Sequence, residues 1–436
     1  VIGTMKSNKN NSKRYYLESL GCPRNLVDSE QFAGILHQKG YLQSDTPENV
    51  DLILVNTCGF IRDAKEESIE RIFELAKLKE DNPDCKLLAT GCLVKRYLSE
   101  LQNTMPEVDH FVDLKDFAGL ADFLSLSSYR LERQRLLPLP YAYQRISDGC
   151  NNLCSYCAIP SIRGPVRSEP LPSIIAEAEK LAESGVRELI ITAMDITQYG
   201  IDLDSGQGLI KLLNCLVELD RFAWIRLLYL HPANITDELL YLIKDNPIIC
   251  PYLDLPLQHI NDEILTLMNR HITRRETEKL LDRIRKLIPD IALRTTIITG
   301  FPGEKEGHFR ELYSFLQEQR FNRLGVFQYS REEGTEAGRM PDQVHHKTAV
   351  RRKRELTELH DSISEELLKN LVGQTIEVII DGISEDNNFL YEGRTRYDAP
   401  EIDGLVFIRS GRAEPGDLVK VRIRESLVHD LIGEIV

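Results

Sequence analysis

The chain has 436 residues, 42% hydrophobic, 28% charged and 7% aromatic, and its 68 Asp+Glu outweigh 54 Lys+Arg for a formal net charge of −14. That length predicts about two to four domains with real cores, the composition excludes a disordered chain, and the acidity argues against a general nucleic-acid coat, which needs a basic surface to meet phosphates. No run approaches the ~18 apolar residues of a membrane span and nothing reads as a secretory signal. In a reduced, cytoplasmic setting the nine cysteines are expected to be metal ligands before disulfides.

Residues 1–14 read as a polar, floppy leader with Met5 as the native start. Short apolar strands follow at 15–20, 51–57 and 86–91, with a helical pattern over 62–80 that puts Ile69, Ile72, Phe73, Ala76 and Leu78 on one face. An earlier helix is expected to be capped by Asp28-Ser29-Glu30 and to stop at Lys39-Gly40. Strands alternating with helices predict a doubly wound parallel sheet for residues 1–128. Residues 129–141, polar and proline-containing, read as a linker.

Over 142–370 the strand–helix alternation repeats six times, with strands at 143–147, 188–193, 224–230, 252–257, 293–299 and 324–329 and helices such as 172–184, 236–246 and 274–287. Six such units predict an open (β/α)6 barrel, a partial TIM barrel short of the eight units of a full one. A charged amphipathic run at 345–371 closes this domain. Residues 371–436 contain five short strands separated by turn signals, the pattern of a small antiparallel OB-like β-barrel. This last segment holds thirteen Asp+Glu and seven Lys+Arg, a net of −6. An acidic barrel suits a basic protein partner better than RNA, although Lys420, Arg422 and Arg424 alternate along one strand as a local basic stripe.

The sharpest chemical signal is Cys150-Asn-Asn-Leu-Cys154-Ser-Tyr-Cys157, three thiols in eight residues just after a strand. Thiolates are the soft ligands iron–sulfur clusters prefer, and three of them leave one iron open for a substrate. Zinc would call for a fourth nearby Cys or His, and the next twenty residues hold none. A second set, Cys22, Cys58 and Cys92, falls within two residues of three strand ends. In a parallel sheet those ends share one edge, where doubly wound folds bind ligands. On spacing alone, a cluster site and three small buried hydrophobes both remain open for this set. Cys85 enters its strand at the other end, while Cys215 and Cys250 lack partners and read as buried.

The CxxxCxxC spacing, with Tyr156 before the last cysteine, resembles that of radical S-adenosylmethionine enzymes. The whole chain resembles the methylthiotransferases of that superfamily. SLGCPRNLVDSE (19–30), NTCGFI (56–61) and ATGCL (89–93) match the cluster-bearing loops of their N-terminal domain. CSYCAIPSIRG (154–164), LPLQHIND (255–262), TGFPGE (299–304), VFQYSREEGTEA (326–337) and GRTRYDAPEIDG (393–404) look like the branch that modifies a ribosomal protein. The resemblance implies an N-terminal methylthiotransferase domain, a radical S-adenosylmethionine barrel and a C-terminal TRAM domain. It further implies two 4Fe–4S clusters, one on Cys150, Cys154 and Cys157 and one on Cys22, Cys58 and Cys92. S-adenosylmethionine would serve as methyl donor and radical source. Asp195 and Gln258, at or just beyond strand ends on the expected active face, read equally as its contacts or as ordinary loop polar residues, and Tyr156 is a further candidate contact. The implied substrate is an aspartate β-carbon in a basic protein, the twelfth of the small ribosomal subunit, and the implied electron donor is a flavodoxin or ferredoxin. The alternatives are a methylthiotransferase acting on a transfer-RNA adenosine and, in another class, an iron–sulfur electron carrier.

Two departures stand out: Glu169 in Arg163-Gly-Pro-Val-Arg-Ser-Glu-Pro170, where that family often has a cation, and Met194 in TAMDITQYG, where it often has Gln. TGFPGE reads equally as an ordinary turn, and His259 and His271 as structural or solvent-facing side chains.

Overall fold

The computed structural model describes residues 13–203 and 206–436, arranged in two compact units, Val1–Pro138 and Leu139–Val436. The expected leader lies outside the described residues up to residue 12.

The first unit runs β1 (Arg14–Ser19), α1 (Pro23–Gln38), β2 (Leu42–Gln43), β3 (Leu52–Thr57), α2 (Arg62–Asp81), β4 (Lys86–Gly91), α3 (Cys92–Thr104), β5 (His110–Phe111) and α4 (Phe117–Phe123). Its strands form one parallel sheet in the order β2-β1-β3-β4-β5. Alternate residues of β3 feed two separate cores. Leu52 and Leu54 pack with Phe32 and Leu36 of α1 and Leu120 of α4, while Ile53 and Val55 pack with Ile72 and Leu75 of α2 and Leu93 of α3. A sheet buried on both faces is what the uninterrupted apolar run of β3 requires.

The start of α1 corrects the expectation drawn from Asp28-Ser29-Glu30. The helix begins at Pro23, with Cys22 as N-cap. Proline's fixed φ suits a first helical position, where its missing N–H costs nothing. Asp28, Ser29 and Glu30 are instead buried in the helix interior. Ser29 bonds Ser19 and Asn56, and Glu30 pairs with Arg133 and accepts the Leu136 amide. The stretch expected to be a linker is thus laid along α1, where Gln38 also bonds both backbone groups of Arg130.

The second unit starts with β6 (Tyr141–Arg145), a small hairpin of β7 (Ser147–Asp148) and β8 (Arg167–Ser168) around α5 (Ile159–Arg163), then α6 (Leu171–Glu183), β9 (Glu188–Thr192), α7 (Leu209–Glu218), β10 (Trp224–Leu227), α8 (Asp237–Asp245) and β11 (Tyr252–Asp254). It continues through α9 (Asp262–Leu267), α10 (Arg274–Leu287), β12 (Ala292–Thr299), α11 (Glu306–Gln319), β13 (Arg323–Gln328) and α12 (His346–Lys369). Two three-stranded parallel sheets, β6-β9-β10 and β11-β12-β13, meet through the Ile225–Ile249 bridge. Six parallel strands in chain order, open between β6 and β13, make the partial barrel that the periodicity predicts. Strands β14 (Thr375–Ile383), β15 (Tyr391–Thr395), β16 (Val406–Ser410), β17 (Leu418–Ser426) and β18 (Leu431–Ile435) close a small barrel. Its ladders are antiparallel except β16–β18. Helix α12 joins the two barrels, with Leu356 in the core of the first and Leu368 in that of the second. Among the described residues no helix is long and apolar enough to cross a membrane.

The segment 394–403 of the small barrel plugs the N-terminal end of the larger one. Arg394, 1% exposed, pairs with Glu188 at the first position of β9 (2.8 Å) and with Asp381 (2.6 Å), and its guanidinium lies over the Tyr141 ring. Arg226 of β10 pairs with the other oxygen of Glu188 at 2.6 Å. Arg323, first in β13, binds Asp398, while Asp403 takes Arg294 at 3.4 Å and the Tyr252 hydroxyl at 2.7 Å. Burial raises the cost of charging Glu188, yet Arg226 and Arg394 hold its carboxyl below the ordinary value. Four acids counted in the small barrel's negative charge, Asp381, Asp398, Glu401 and Asp403, are therefore spent on this plug. The basic stripe is answered as well, since Lys420 pairs with Glu377 and Arg424 with Glu434.

Removing one partner of a buried ion network leaves an uncompensated charge. Arg394→Met is expected to cost about 3–5 kcal/mol in the denaturant unfolding of the second unit, whereas Arg409→Ala, at an exposed pair with Glu425, should leave the midpoint unmoved. An unchanged midpoint for Arg394→Met would show that the plug adds nothing to stability.

His360 of α12 sits beneath the small barrel, stacked on His429 at 5.9 Å, which itself bonds Ser364 and Asp361. Burial, then the neighbouring His429, Arg323 and Arg294, pushes His360 down from 6.5 to about 4. Because its folded value is depressed, the unfolded chain binds the extra proton between these limits. The stability held by neutral His360 is complete above pH 6.5 and is lost as pH falls through about 4. Unfolding midpoints across pH 4–6.5 should slope for the native chain and flatten for His360→Phe; equal slopes would refute the assignment.

Candidate active site

The C-terminal ends of the six parallel strands carry the loops that matter. The cysteine loop follows β6, Asp195 follows β9, His231 follows β10, Gln258 follows β11 and Gly300 follows β12. In barrels of parallel strands this is the face where reactions occur.

Cys150, Cys154 and Cys157 lie on one tightly fastened loop. Gly149 adopts φ +71°, and a Cβ there would meet the Pro165 carbonyl at 2.0 Å, so only glycine allows the chain to turn into the loop. The Cys150 amide bonds the Gly164 carbonyl, and Asn151 links the Gln198 side chain to the Val166 amide. Asn152 donates to Asp195 at 2.8 Å, and Asn269 donates to the Leu153 carbonyl at 2.6 Å. Ser155 binds the Met268 and Leu267 carbonyls and accepts the Ala337 amide. Tyr156 packs edge-on against Phe301 at 6.4 Å, in an apolar cluster with Ile264, Met268 and Ala337.

Each of the three sulfurs faces a donor. The Asn152 amide points at Cys150 Sγ (3.4 Å), the Ile159 amide at Cys157 Sγ (3.5 Å) and Arg270 Nη1 at Cys154 Sγ (3.7 Å). Three donors aimed at three sulfurs suit thiolates. Burial pushes the Cys150 thiol up to about 11, so binding a metal there must displace a proton. Among the described residues no three His, Cys, Asp or Glu side chains gather for a single metal ion. The cysteines of a cluster attach to different irons and stand farther apart than ligands of one ion. Donor set, spacing and directed N–H groups therefore fit a cluster with one open iron.

Asp195, expected to border a cofactor, accepts five bonds: from Asn152 and Gln198 side chains on one oxygen, and from Thr197 N, Thr197 Oγ1 and the His231 amide on the other. Gln258 adopts φ +71° and its buried Oε1 has no partner among the described residues. His259 is buried, accepts the Asn261 amide, and faces Glu304 at 3.7 Å. Glu304 of the TGFPGE turn reaches back to the Gly300 amide and pairs with Arg352 at 3.1 Å. It closes its own loop rather than capping α11. Arg163 is held by Asp148 at 3.1 Å, and Glu169 meets the fold through its backbone, donating to Ile146 and accepting from Tyr199.

In the first unit Cys22 is the N-cap of α1 and Cys92 the first residue of α3, and helix N-termini favour thiolates. Cys58 follows β3. The three converge. A Cβ on Gly21 (φ +91°) would lie 2.8 Å from Cys58 Sγ, Asn25 sits 3.7 Å from Cys92 Sγ, and the charges of Cys22 and Cys92 both bear on Cys58. Burial pushes the Cys58 thiol up to about 12. Cys85 instead faces Lys79, Asp109 and Asp51 at the opposite end of the sheet.

Residues 14–113 match a family described as uncharacterized, UPF0004, residues 145–316 the Radical SAM superfamily, and residues 372–436 the TRAM domain. The chain is 45% identical to the ribosomal protein uS12 methylthiotransferase RimO of Pelobacter propionicus, covering 96% of both chains. It is 45% identical to that of Geobacter sulfurreducens over 98% of this chain and 99% of the other. The chain belongs to the RimO family. Membership in a radical SAM family carries with it a 4Fe–4S cluster and S-adenosylmethionine. The fold is also that of the radical S-adenosylmethionine methyltransferase TsrM from Kitasatospora setae, with TM-score 0.56, 16% identity and coverage of 75% of this chain and 77% of that one.

Sequence reasoning missed Arg270, Asn152, Asn269 and His231 in this RimO-type site. Arg270, Asn269 and His231 were signalled only by position, shortly after a helix or strand where a loop faces the C-terminal edge, and Asn152 only by lying inside the cysteine motif. Removing the Asp195 carboxylate frees four residues' donors at once. Asp195→Ala should raise amide hydrogen exchange across residues 150–157 at least tenfold and cost about 3 kcal/mol of stability. Unchanged exchange there would mean that Asp195 does not clamp the cysteine loop.

Proposed function

We propose that this chain adds a methylthio group to the β-carbon of an aspartate in the ribosomal protein uS12. Its resident groups are two 4Fe–4S clusters: one on Cys150, Cys154 and Cys157, the other on Cys22, Cys58 and Cys92. The observation that carries the reading is the triad of sulfurs on the C-terminal face of an open six-stranded barrel, each met by its own donor. When bound, these groups supply the electron that cleaves S-adenosylmethionine and a site to carry the transferred sulfur.

The chain's own residues do the rest. Asn152, Ser155, Asn269 and Asp195 hold the loop so that three sulfurs keep their spacing. Tyr156, locked against Phe301, walls the loop with apolar surface and keeps water out. Gln258 offers S-adenosylmethionine a buried acceptor that has no partner among the described residues, while Asp195 acts on the site through Asn152. An unactivated C–H bond gives acid–base chemistry little to work on, which is why such a target calls for a radical and a dry site.

The functional modules are assigned to 1–128, the linker 129–141, 142–370 and 371–436. The setting is cytoplasmic, with a flavodoxin or ferredoxin as electron donor. Transfer-RNA modification is the weaker reading because Lys420 and Arg424 of the basic stripe already hold carboxylates. An electron carrier would have no use for an open iron.

Mass spectrometry of uS12 after incubation with the reconstituted, reduced enzyme and S-adenosylmethionine should show the mass of one added methylthio group. No change under those conditions, with a modified transfer RNA instead, would transfer the assignment to the runner-up. Iron analysis separates the sites: the native chain should hold about eight irons, with Cys154→Ala and Cys58→Ala each losing about half. Loss of all iron in either variant would mean the two sets are not independent.

A further inference from the structure

Arg270 is 8% exposed, yet no carboxylate lies within ion-pairing distance of it among the described residues. Its Nη2 donates to the Pro256 carbonyl at 2.6 Å, its Nη1 points at Cys154 Sγ at 3.7 Å, and its buried Nε has no partner among the described residues. Asp195, the acid whose charge bears on Arg270, already accepts five bonds from other groups. Burying an unpaired guanidinium is costly, and Pro256 supplies only a dipole. The anion that answers this cation is the sulfur of Cys154, as a thiolate in a loaded site. The Cys150 and Cys157 sulfurs each receive a backbone amide, so the direct contact of the guanidinium is with Cys154.

We infer that Arg270 is a positioning residue that sets the reduction potential of the cluster held by Cys150, Cys154 and Cys157. The inference rests on the three-cysteine reading given above. In the step concerned, one electron enters the cluster from an external low-potential flavoprotein, ferredoxin or dithionite, and Arg270 gains and loses nothing. The added negative charge is stabilised by a fixed cation hydrogen-bonded to a ligand sulfur in a water-poor setting, and hydrogen bonds to the sulfurs are one of the levers that tune such potentials. Arg270 therefore makes the cluster easier to reduce. Its brace on Pro256 fixes the guanidinium at the end of β11, beside the segment that bears Gln258, so the charge cannot swing away.

The test is an EPR-monitored redox titration of the reconstituted full-length chain, with iron content measured on every sample. All samples carry Cys22→Ala, Cys58→Ala and Cys92→Ala, so that one cluster is read. In Arg270→Gln the ratio of reduced to oxidised cluster at a fixed potential should fall about tenfold, 59 mV for one electron. Arg270→Lys keeps the charge but loses the forked geometry, and should fall between Arg270→Gln and the parent. Equal potentials in the parent and Arg270→Gln at equal iron content would overturn the inference. So would an unchanged potential accompanied by weaker S-adenosylmethionine binding, which would make Arg270 a substrate contact. If Arg270→Gln fails to take up iron, Arg270→Lys decides: a potential equal to the parent's overturns the inference, and a lower one sustains it. A parent chain that loads no iron at all would instead refute the three-cysteine reading, a separate failure.

Discussion

Three thiolates gathered to hold a cluster would repel one another and lose water, so each would have to be met by a fixed positive partner. That constraint organises the C-terminal face of the larger barrel. Two partners are local, the amides of Asn152 and Ile159, because a tight loop can turn its own backbone towards its side chains. The third, Arg270, arrives from 116 residues away in the sequence. The remaining contacts of the loop serve to keep these three donors aimed. Asp195 holds Asn152, the segment after α9 holds Leu153 and Ser155, and the loop after β13 holds Ser155 through Ala337.

The opposite end of the same barrel solves a different electrostatic problem. Charged residues near the starts of β9, β10, β12 and β13 would be only partly paired if the barrel ended there. The segment 394–403 completes the pairing: Arg394 joins Arg226 on Glu188, Asp398 takes Arg323, and Asp403 joins Asp254 on Arg294. The small barrel is accordingly a fixed part of the second unit, and the composition of its plug answers to that role. Reading its net charge as an outward-facing attractant counts acids that never see the partner. What remains exposed is a smaller excess, with the basic stripe largely matched across the ladder.

The fold was legible wherever a repeating pattern carried it. Both faces of β3 are buried, so its apolar run survives any register. The six strand–helix units announce themselves by alternation, and Thr273 with Glu276 marks the start of α10 by a capping box. Illegible features depended on side chains meeting across long separations. Asp28-Ser29-Glu30 has the composition of a cap, but Ser19, Asn56 and Arg133, remote in sequence, make it a buried polar row. The cysteines were visible because chemistry fixes their residue type and strand ends fix their place. Arg270 was not, since one arginine after a helix looks like any other until its neighbours are known.

The two ends of the barrel differ in what they can tolerate. At the N-terminal end carboxylates meet guanidiniums: Glu188 holds Arg226 and Arg394, Asp254 and Asp403 hold Arg294, and Asp398 holds Arg323. At the C-terminal end the charge matching is incomplete: among the described residues Gln258 Oε1 and Arg270 Nε have no partner, and the Arg270 guanidinium turns to a sulfur instead of a carboxylate. A folded chain retains such deficits where something outside the chain completes them. The buried charges thus separate stability from function along the axis of one domain, paired carboxylate to guanidinium at the bottom and left open at the top.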